Sequence, residues 1–364
     1  MFPVTPRSRS LALLLLLCVV LAACEGAGTD DGTADARDDT AEAPTTDAAG
    51  QDAEPSAPVT LRWGHVLADD HPWSTCGIEH VEEQLAANPD AALTLEVFPG
   101  GQLGSNEEMV ESVSQGSLDI TVPGVGSVST LYPDFGVLEA FFAFDDLDHL
   151  IEVWDSDIGR ELFQGAIDEA DLRVLGDLWY IGTRHVTANQ PITSPDDLAG
   201  LSMRSQDTPA SFANIRSLGA NPTPVDFGEL YLALSQGVVD TQENPIPNIV
   251  AARFNEVQDY LALTAHVPQM GSVLISEDTW STLTSTQQQV LDEAVASAAE
   301  QVRTCIEDQE NEVIDEWRGG DAGIEVIDDV DREAFLEHAQ AFFSGPDAPE
   351  FGELYQRIRE TSSQ

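Results

Sequence analysis

Lysine is absent from this sequence, and basic residues as a whole are rare. The 364 residues include 15 arginines against 65 Asp and Glu, which sets a formal net charge of −50 at pH 7. Proteins that bind nucleic acid neutralise its phosphates with clustered Lys and Arg. The composition therefore excludes nucleic acid as a partner, and it excludes charge-driven docking on an anionic membrane.

The sequence also lacks the motifs of several enzyme classes: GxSxG, the P-loop and HExxH do not occur. His65, His71 and His80 lie near one another in the sequence, which raises the alternative of an exported metal-dependent enzyme. Their spacings match no pair of metal ligands on one helix face. We therefore rank an enzyme well below a binding protein, and we expect no metal and no cofactor.

Long apolar runs are scarce, and the most prominent one lies at the N-terminus. Residues 11–20 follow Arg7 and Arg9 and are too few to span a bilayer, so residues 1–23 are predicted to be a secretory signal peptide. The run ends in Leu-Ala-Ala-Cys, which resembles a bacterial lipobox. Acylated Cys24 would then anchor the protein to the outer face of the cell membrane through lipid alone. The alternative is an ordinary signal peptide that happens to contain a cysteine.

An acidic segment follows Cys24. Residues 25–58 contain ten acids, one arginine and no aromatic residue. Such a segment cannot bury enough apolar surface to offset the entropy of ordering it, and its like charges repel one another. We predict that residues 24–58 form a disordered tether between the membrane and a folded part.

Two cysteines remain beyond the tether, Cys76 and Cys305. Paired cysteines are typical of exported proteins, so a disulfide between them is expected. The alternative is that Cys305 is a small apolar residue on the buried stripe of a helix.

The folded part reads as alternating strands and helices. Residues 61–66, 93–98 and 174–180 have strand patterns, and residues 78–87 and 285–317 have helical spacing. This alternation predicts an α/β fold with mostly parallel sheets. The 306 residues after the tether are too many for one simple core and suit two lobes.

One segment, residues 223–248, carries a helix and a strand. Asp226 and Glu229 have the spacing of a capping box, and Gly237 can end the helix that follows. Residues 238–239 then read as a buried strand. Asn244 directly precedes Pro245, which favours extended backbone, so Asn244 should project from a strand end.

Two arginines upstream make this segment a candidate binding site. Arg184 and Arg204 offer planar forks of N–H donors that match a carboxylate. If their strands end beside Asn244, the three side chains form a polar cluster. The alternative is that both arginines are surface charges paired with some of the many acids.

Several short segments, in order, resemble one family. They include Phe-Pro-Gly-Gly-Gln-Leu-Gly at 98–104, Gly-Ser-Leu-Asp at 116–119, Phe-Gly-Glu-Leu-Tyr-Leu-Ala-Leu at 227–234 and Gln-Glu-Asn-Pro at 242–245. Over residues 59–345 the chain resembles the solute receptors of TRAP (tripartite ATP-independent periplasmic) transporters, of the dicarboxylate-receptor type. Such receptors capture organic acids and deliver them to the transporter's membrane subunits.

The resemblance implies a two-lobed, periplasmic-binding-protein-like fold with a hinge cleft and a long helix spanning both lobes. Lobe I would comprise residues 59–180 and 270–309. Lobe II would comprise residues 181–269 and 310–364. The ligand would lie in the cleft between them.

The resemblance also assigns roles. Arg204 would grip the substrate carboxylate, Arg184 would add a second contact, Asn244 would orient the ligand and Phe227 would pack on it. His65 is expected at the rim of the cleft, at the end of the first strand. Some family members place an acidic or polar residue just after the second strand, where this chain has residues 123–126, Pro-Gly-Val-Gly, so the end of the pocket opposite the arginines is undefined.

A second ligand class remains open from the residues. Phe227, with Trp73 and Trp179, motivates a receptor for a zwitterionic osmolyte such as ectoine. Both tryptophans suit a hydrophobic core equally well.

Overall fold

The computed structural model describes residues 57–320 and 323–361. The predicted signal peptide, Cys24 and the tether up to residue 56 lie outside the described residues. Within the described ranges, no helix is both long enough and apolar enough to cross a bilayer.

A single nine-stranded sheet organises the described residues. Its central strands, β4 and β8, have 17 residues each. Along the sheet the order is β2-β1-β3-β8-β4-β7-β5-β6, with β9 also pairing with β8. The bounds are β1 Val59–Gly64, β2 Leu93–Phe98, β3 Ile120–Thr121, β4 Leu172–Ala188, β5 Ser202–Ser205, β6 Asn221–Pro224, β7 Thr241–Pro245, β8 Tyr260–Ser276 and β9 Glu325–Ile327.

The prediction of mostly parallel sheets holds for the outer strands and for β9, which pairs in parallel with β8. β1 pairs in parallel with β2 and β3, as β5 does with β6 and β7. The central β4–β8 ladder is antiparallel, and β4 also runs antiparallel to β7. β4 and β8 are each one long run of 17 residues, and they lie far apart in the sequence. The alternation of helical and strand patterns along the chain therefore did not reveal that the two strands pair. Register shifts interrupt the β4–β8 ladder near Gly182 and Arg184 and bend both strands.

Helices pack on the sheet. The helix predicted at 78–87 is present as an α-helix, Glu79–Ala87. A π-helical segment, Trp73–Ile78, runs directly into it. Short 3-10 turns occupy 89–91, 125–130, 133–139, 195–198, 227–229 and 254–256. The α-helices are α1 Glu79–Ala87, α2 Asn106–Ser114, α3 Leu147–Trp154, α4 Asp157–Ala170, α5 Pro209–Ser217, α6 Leu230–Ser235, α7 Ile246–Ala251, α8 Glu277–Thr282, α9 Ser285–Arg318, α10 Arg332–Phe343 and α11 Gly352–Thr361.

α9 confirms the predicted long helix, because its 34 residues form about 50 Å of continuous helix. Thr284 and Gln287 form a capping box at its start. A stripe of apolar side chains along α9, from Leu291 to Ile306, is buried against the sheet. A disulfide joins Cys305 of α9 to Cys76, which lies 229 positions earlier in the sequence. The bond therefore ties the long helix to the segment that precedes α1.

The segment around α6 differs from its prediction in two places. Asp226 begins a 3-10 turn, but its side chain caps no N–H group, so the predicted capping box is wrong. Gly237 ends the helix at a φ of 68°, as expected. The N–H of Val238 donates to the carbonyl of Ala233, which extends the helix cap. Val238 is consequently exposed rather than part of a buried strand, and β7 begins only at Thr241.

Candidate ligand-binding site

Four of the predicted site residues meet at one cavity. Arg184, Arg204, Phe227 and Asn244 line a space of about 40 Å³, here called the inner cavity. This volume is close to that of one or two water molecules, so it fits a carboxylate group but not a whole sugar-sized ligand. The remaining walls are Val66, Leu67, Trp73, Asn106, Val122, Gly124, Ile181, Gln206, Asn248 and Gln269.

Strand pairing explains why these side chains converge. Arg184 of β4 lies opposite Pro245 of β7, so Asn244 is one position from the pair. β7 in turn pairs in parallel with β5, which carries Arg204. Three neighbouring strands thus deliver residues that are distant in sequence to one end of the sheet.

Arg184 is largely engaged by protein groups. Its Nε and Nη2 bind the carboxylate of Glu243, Nη2 also donates to the Glu243 carbonyl at 2.6 Å, and Nη1 donates to Gln269 Oε1 at 2.5 Å. Glu139 lies 3.6 Å from Nη1. Both members of the Arg184–Glu243 pair are 5% exposed. Because four hydrogen bonds use four of the five N–H donors of a guanidinium, little of Arg184 is left for a ligand.

The carboxylates around Arg184 have opposite pKa shifts. Burial alone would raise the pKa of Glu243, but the Arg184 charge and hydrogen bonds from His266 and Arg184 lower it to about 2. His266 Nε2 lies 3.0 Å from Glu243 Oε2. Burial raises the pKa of Glu139, with Arg184 opposing the shift. Glu243 is therefore the fixed counter-charge of Arg184.

Arg204 is buried without an acidic partner among the described residues. It is 5% exposed, and its Nε donates to the carbonyl of Val225 at 2.9 Å. Its guanidinium carbon lies 6.0 Å from the centroid of the Phe227 ring. Burial, followed by the nearby Arg184 charge, lowers the pKa of Arg204 to about 10. Both terminal nitrogens remain available, so Arg204 is the natural anchor for an anion.

A chain of amides forms another wall of the inner cavity. Asn244 Nδ2 donates to Gln242 Oε1 at 2.6 Å, and Asn248 Nδ2 donates to Asn244 Oδ1 at 3.4 Å. His71 Nε2 lies 3.0 Å from Asn248 Oδ1. These bonds hold the Asn244 amide in place and leave one of its N–H groups for a ligand.

A second space, here called the outer cavity, adjoins the first and measures about 300 Å³. It lies between the start of α2 and the turn that precedes α6. The two cavities have Val66, Asn106, Arg204, Gln206 and Phe227 in common. A ligand held by Arg204 in the inner cavity can therefore extend into the outer one.

Comparison with known proteins identifies the family. The sequence matches the bacterial extracellular solute-binding proteins of family 7 over residues 63–344. This chain belongs to that family. A solute-binding protein of Roseobacter denitrificans is 35% identical over 245 residues, 67% of this chain and 74% of the relative. The sialic acid-binding periplasmic protein of Vibrio cholerae is 34% identical over 69% of this chain and 77% of its own length.

The fold comparison agrees. A TRAP periplasmic solute-binding protein from Polaromonas, solved with bound D-erythronate, superimposes with a TM-score of 0.77 at 29% identity, covering 84% of this chain and 99% of the other. The protein is thus a TRAP substrate-binding protein with a two-lobed α/β fold. It is an extracytoplasmic solute-binding protein and not an enzyme.

His65 does not occupy the expected place in this TRAP receptor. Its backbone pairs with residues 98 and 101 at the end of β1, but its side chain is fully buried and lines neither cavity. Neither ring nitrogen has a hydrogen-bond partner within the described residues, and burial lowers the pKa of His65 to about 4. The next two residues, Val66 and Leu67, face the inner cavity instead.

The two tryptophans have different positions. Trp73 lines the inner cavity, and its indole N–H donates to the carbonyl of Tyr180 at 2.9 Å. Trp179 is a core residue that packs edge-on against Trp73. The described ranges contain no group of three His, Cys, Asp or Glu arranged to hold a metal ion.

A further cavity of about 520 Å³ lies along α9 and contains none of the predicted ligand-binding residues. Arg303 is the cation among its described lining residues, and it already pairs with Glu307 and Asp148. The space is large enough for a small ligand but offers no unpaired charge for a carboxylate.

Sequence reasoning missed the residues that surround Arg184. Glu243 stands directly before the predicted Asn244, and this adjacency was a usable signal, because a strand neighbour can reach an arginine on the paired strand. Glu139, His266 and Gln269 lie far from the motif in sequence and carry no local pattern. Asn106 also carried no distinguishing signal, since it reads as an ordinary first residue of a helix.

Proposed function

We propose that this protein is a lipid-anchored receptor that binds a small organic carboxylate in an interlobe cleft and delivers it to the membrane subunits of a TRAP transporter. The observation that carries the proposal is Arg204, a guanidinium that is 5% exposed, faces the inner cavity and has no acidic partner in the described chain. A buried charge without a partner is costly, so an anionic ligand is the missing counter-ion.

The other predicted residues complete the site in this proposal. Asn244 donates its remaining N–H to the carboxylate, and Phe227 covers the ligand's apolar surface. Arg184 acts mainly by holding Glu243, Gln269 and the strand ends in place. The D-erythronate bound by the Polaromonas receptor and the sialic acid named for the Vibrio relative are both carboxylates, which supports this class of ligand.

The predicted lobe boundaries, 180/181, 269/270 and 309/310, are part of the proposal. Two features support them. The inner cavity has walls from both groups of residues, for example Trp73 from the first and Arg204 from the second. The three boundaries also lie together, because Tyr180 pairs with Met270 and its hydroxyl donates to Glu310 at 3.1 Å. A hinge at this point would close the cleft over the ligand.

The decisive experiment replaces Arg204 with alanine. We expect carboxylate affinity to fall by about 2–5 kcal/mol, because the ligand's charge would lose its partner, while the protein stays folded. Affinity is measured by calorimetry, and folding by thermal melting. Arg216→Ala is the matched control, since Arg216 is exposed on α5 and its loss changes the net charge equally. Unchanged affinity in Arg204→Ala would refute the site.

The anchor is tested separately. We expect Cys24→Ser to move the protein from the membrane fraction to the soluble extracytoplasmic fraction without changing carboxylate affinity. Membrane retention of that variant would refute lipidation at Cys24 and leave the binding site untouched.

A further inference from the structure

We propose that the disulfide between Cys76 and Cys305 is a redox switch for ligand binding. When a dithiol reduces the bond, the segment Trp73–Ile78 loosens from α9, and the inner cavity loses the wall that this segment provides. The loss of ligand affinity rests on the proposed function, because it takes the inner cavity as the binding site. The loosening of the segment does not rest on it.

The disulfide lies three residues from a wall of the inner cavity. Cys76 belongs to the π-helical segment Trp73–Ile78, and Trp73, the first residue of that segment, lines the cavity. Cys305 lies within α9, a helix of 34 residues. The bond is therefore a covalent link between a cavity wall and a long, continuous helix.

Trp73 has little freedom in its position. Its ring lies against Gly271 of β8, where an added Cβ atom would come within 1.9 Å of the ring. Its indole N–H donates to the carbonyl of Tyr180 at 2.9 Å. Both contacts require the backbone that carries Trp73 to stay where it is. A shift of the segment would therefore change the shape of the cavity.

The same segment positions the amides of the inner cavity. The backbone N–H of Trp73 donates to His71 Nδ1 at 3.1 Å, and His71 Nε2 lies 3.0 Å from Asn248 Oδ1. Asn248 Nδ2 in turn donates to Asn244 Oδ1 at 3.4 Å. A movement of Trp73 is thus passed to Asn244, the side chain that orients the ligand in the proposed function.

Local interactions give the segment little support of their own. It is a turn of π-helix, a rare conformation that is often found at functional sites. Its N-cap, Pro72, supplies no side-chain hydrogen bond, and uncapped helix ends fray. Gly77 packs so closely on α9 that a Cβ atom there would come within 2.9 Å of Val302. The disulfide, one residue away, holds these two surfaces together.

The bond is accessible to a reductant, because Cys76 and Cys305 are both half-buried rather than enclosed. One thiolate of a dithiol attacks one of the two sulfurs and forms a mixed disulfide. The second thiol of the reductant then displaces the cysteine, and the reductant departs as a disulfide. Two electrons and two protons pass to the protein, which is left with two free thiols.

Hydrogen exchange tests the loosening without any ligand. The protein carrying Cys24→Ser is compared in its oxidised form, after reduction with dithiothreitol, and as the double variant Cys76→Ser/Cys305→Ser. We expect the backbone amides of residues 74–78 to exchange at least about tenfold faster in the second and third samples. Equal exchange in the oxidised and reduced protein, or a bond that resists dithiothreitol in the folded protein, would overturn the inference.

Leu162→Ala controls for a general loss of stability. Leu162 is fully buried in α4, which contributes no residue to either cavity. A cavity at this position lowers stability, as the loss of a disulfide does. We expect residues 74–78 to keep their protection in this variant. The same acceleration in Leu162→Ala would show that the disulfide acts through global stability alone, which would overturn the switch.

Calorimetry with D-erythronate tests the effect on binding. We expect about three- to tenfold weaker binding after reduction, because the ligand must then order Trp73, and recovery after reoxidation. Equal affinity in the two redox states would overturn the switch and leave the receptor intact. Absence of binding to the oxidised protein, together with the expected difference in hydrogen exchange, would count against the proposed function and not against the loosening of the segment.

Discussion

The inner and outer cavities adjoin at Arg204 but are built on different principles. At the inner cavity, Arg184 is paired with Glu243 and amides hold one another in place, whereas Arg204 has no acidic partner among the described residues. In the outer cavity most of the acids are solvent-exposed, and they form no ion pair with a cation in the described part of the chain. In the proposed function, the inner cavity is pre-organised for the carboxylate, and the outer cavity would contact the part of the ligand beyond that group.

The contrast also shows how a protein with a net charge of −50 can bind an anion. Long-range repulsion is screened by salt over about 8–10 Å, whereas a buried guanidinium acts on its ligand at contact distance with little screening. Arg184 neutralises Glu243, so the charge of Arg204 remains for the ligand. In the proposed function, local charge pairing would therefore decide which group binds, and the net charge would affect the approach of the ligand.

Breaking the Arg184–Glu243 ion pair should have the largest effect on stability. Arg184→Ala leaves Glu243 as a buried charge without its main partner, so we expect the free energy of unfolding to fall by about 3–5 kcal/mol. Arg204→Ala should instead reduce affinity and leave stability nearly unchanged. Thermal and denaturant unfolding measure the stability of both variants. Arg160→Ala, which breaks an exposed ion pair, serves as the control. A stable Arg184→Ala that binds weakly would mean that Arg184 is a direct ligand contact.

The second largest effect should come from low pH, which should reduce the stability of the protein around the inner cavity. Burial lowers the pKa of His71 to about 3, against an ordinary value of 6.5 in the unfolded chain. A lowered folded pKa gives stability that is present above pH 6.5 and lost as pH falls towards 3, because the unfolded state binds the extra proton. The loss is about 1.4 kcal/mol per pH unit for one histidine.

His71→Gln isolates this effect, because glutamine can donate to Asn248 but does not titrate. We expect a shallower fall in unfolding free energy between about pH 6.5 and about pH 4 than in the unmodified protein. Parallel pH profiles for the two proteins would contradict the assignment of His71 as a buried neutral group.

The smallest effect should come from an acid of the outer cavity, and replacing it should raise the affinity rather than lower it. Asp207→Asn removes one exposed acid, so affinity for an anionic ligand should rise, by less than about 1 kcal/mol. The gain should shrink as salt is added. Calorimetry at two ionic strengths measures it, with Asp90→Asn, an exposed acid outside both cavities, as control. Weaker binding in Asp207→Asn would show that Asp207 contacts the ligand.

Local patterns predicted the elements that depend on local interactions. The strand at residues 93–98 and the helix at 285–317 were predicted within a residue or two, because apolar periodicity and caps are written in neighbouring positions. The antiparallel β4–β8 pairing was not, since it joins residues far apart in the sequence, such as Leu172 and Ser276. The capping role of Asp226 failed because a 3-10 turn replaced the first turn of the helix.

The sequence by itself determined the chemistry of the site: two guanidiniums, an amide before a proline and an aromatic ring, in a chain too acidic for other anionic partners. It could not determine which arginine is free. That was decided when the sheet brought Glu243 onto Arg184, and when burial left Arg204 facing the inner cavity, whose described lining contains no acid. Charge pairing acts over a few ångströms in space, so it depends on strand register and packing rather than on spacing along the chain.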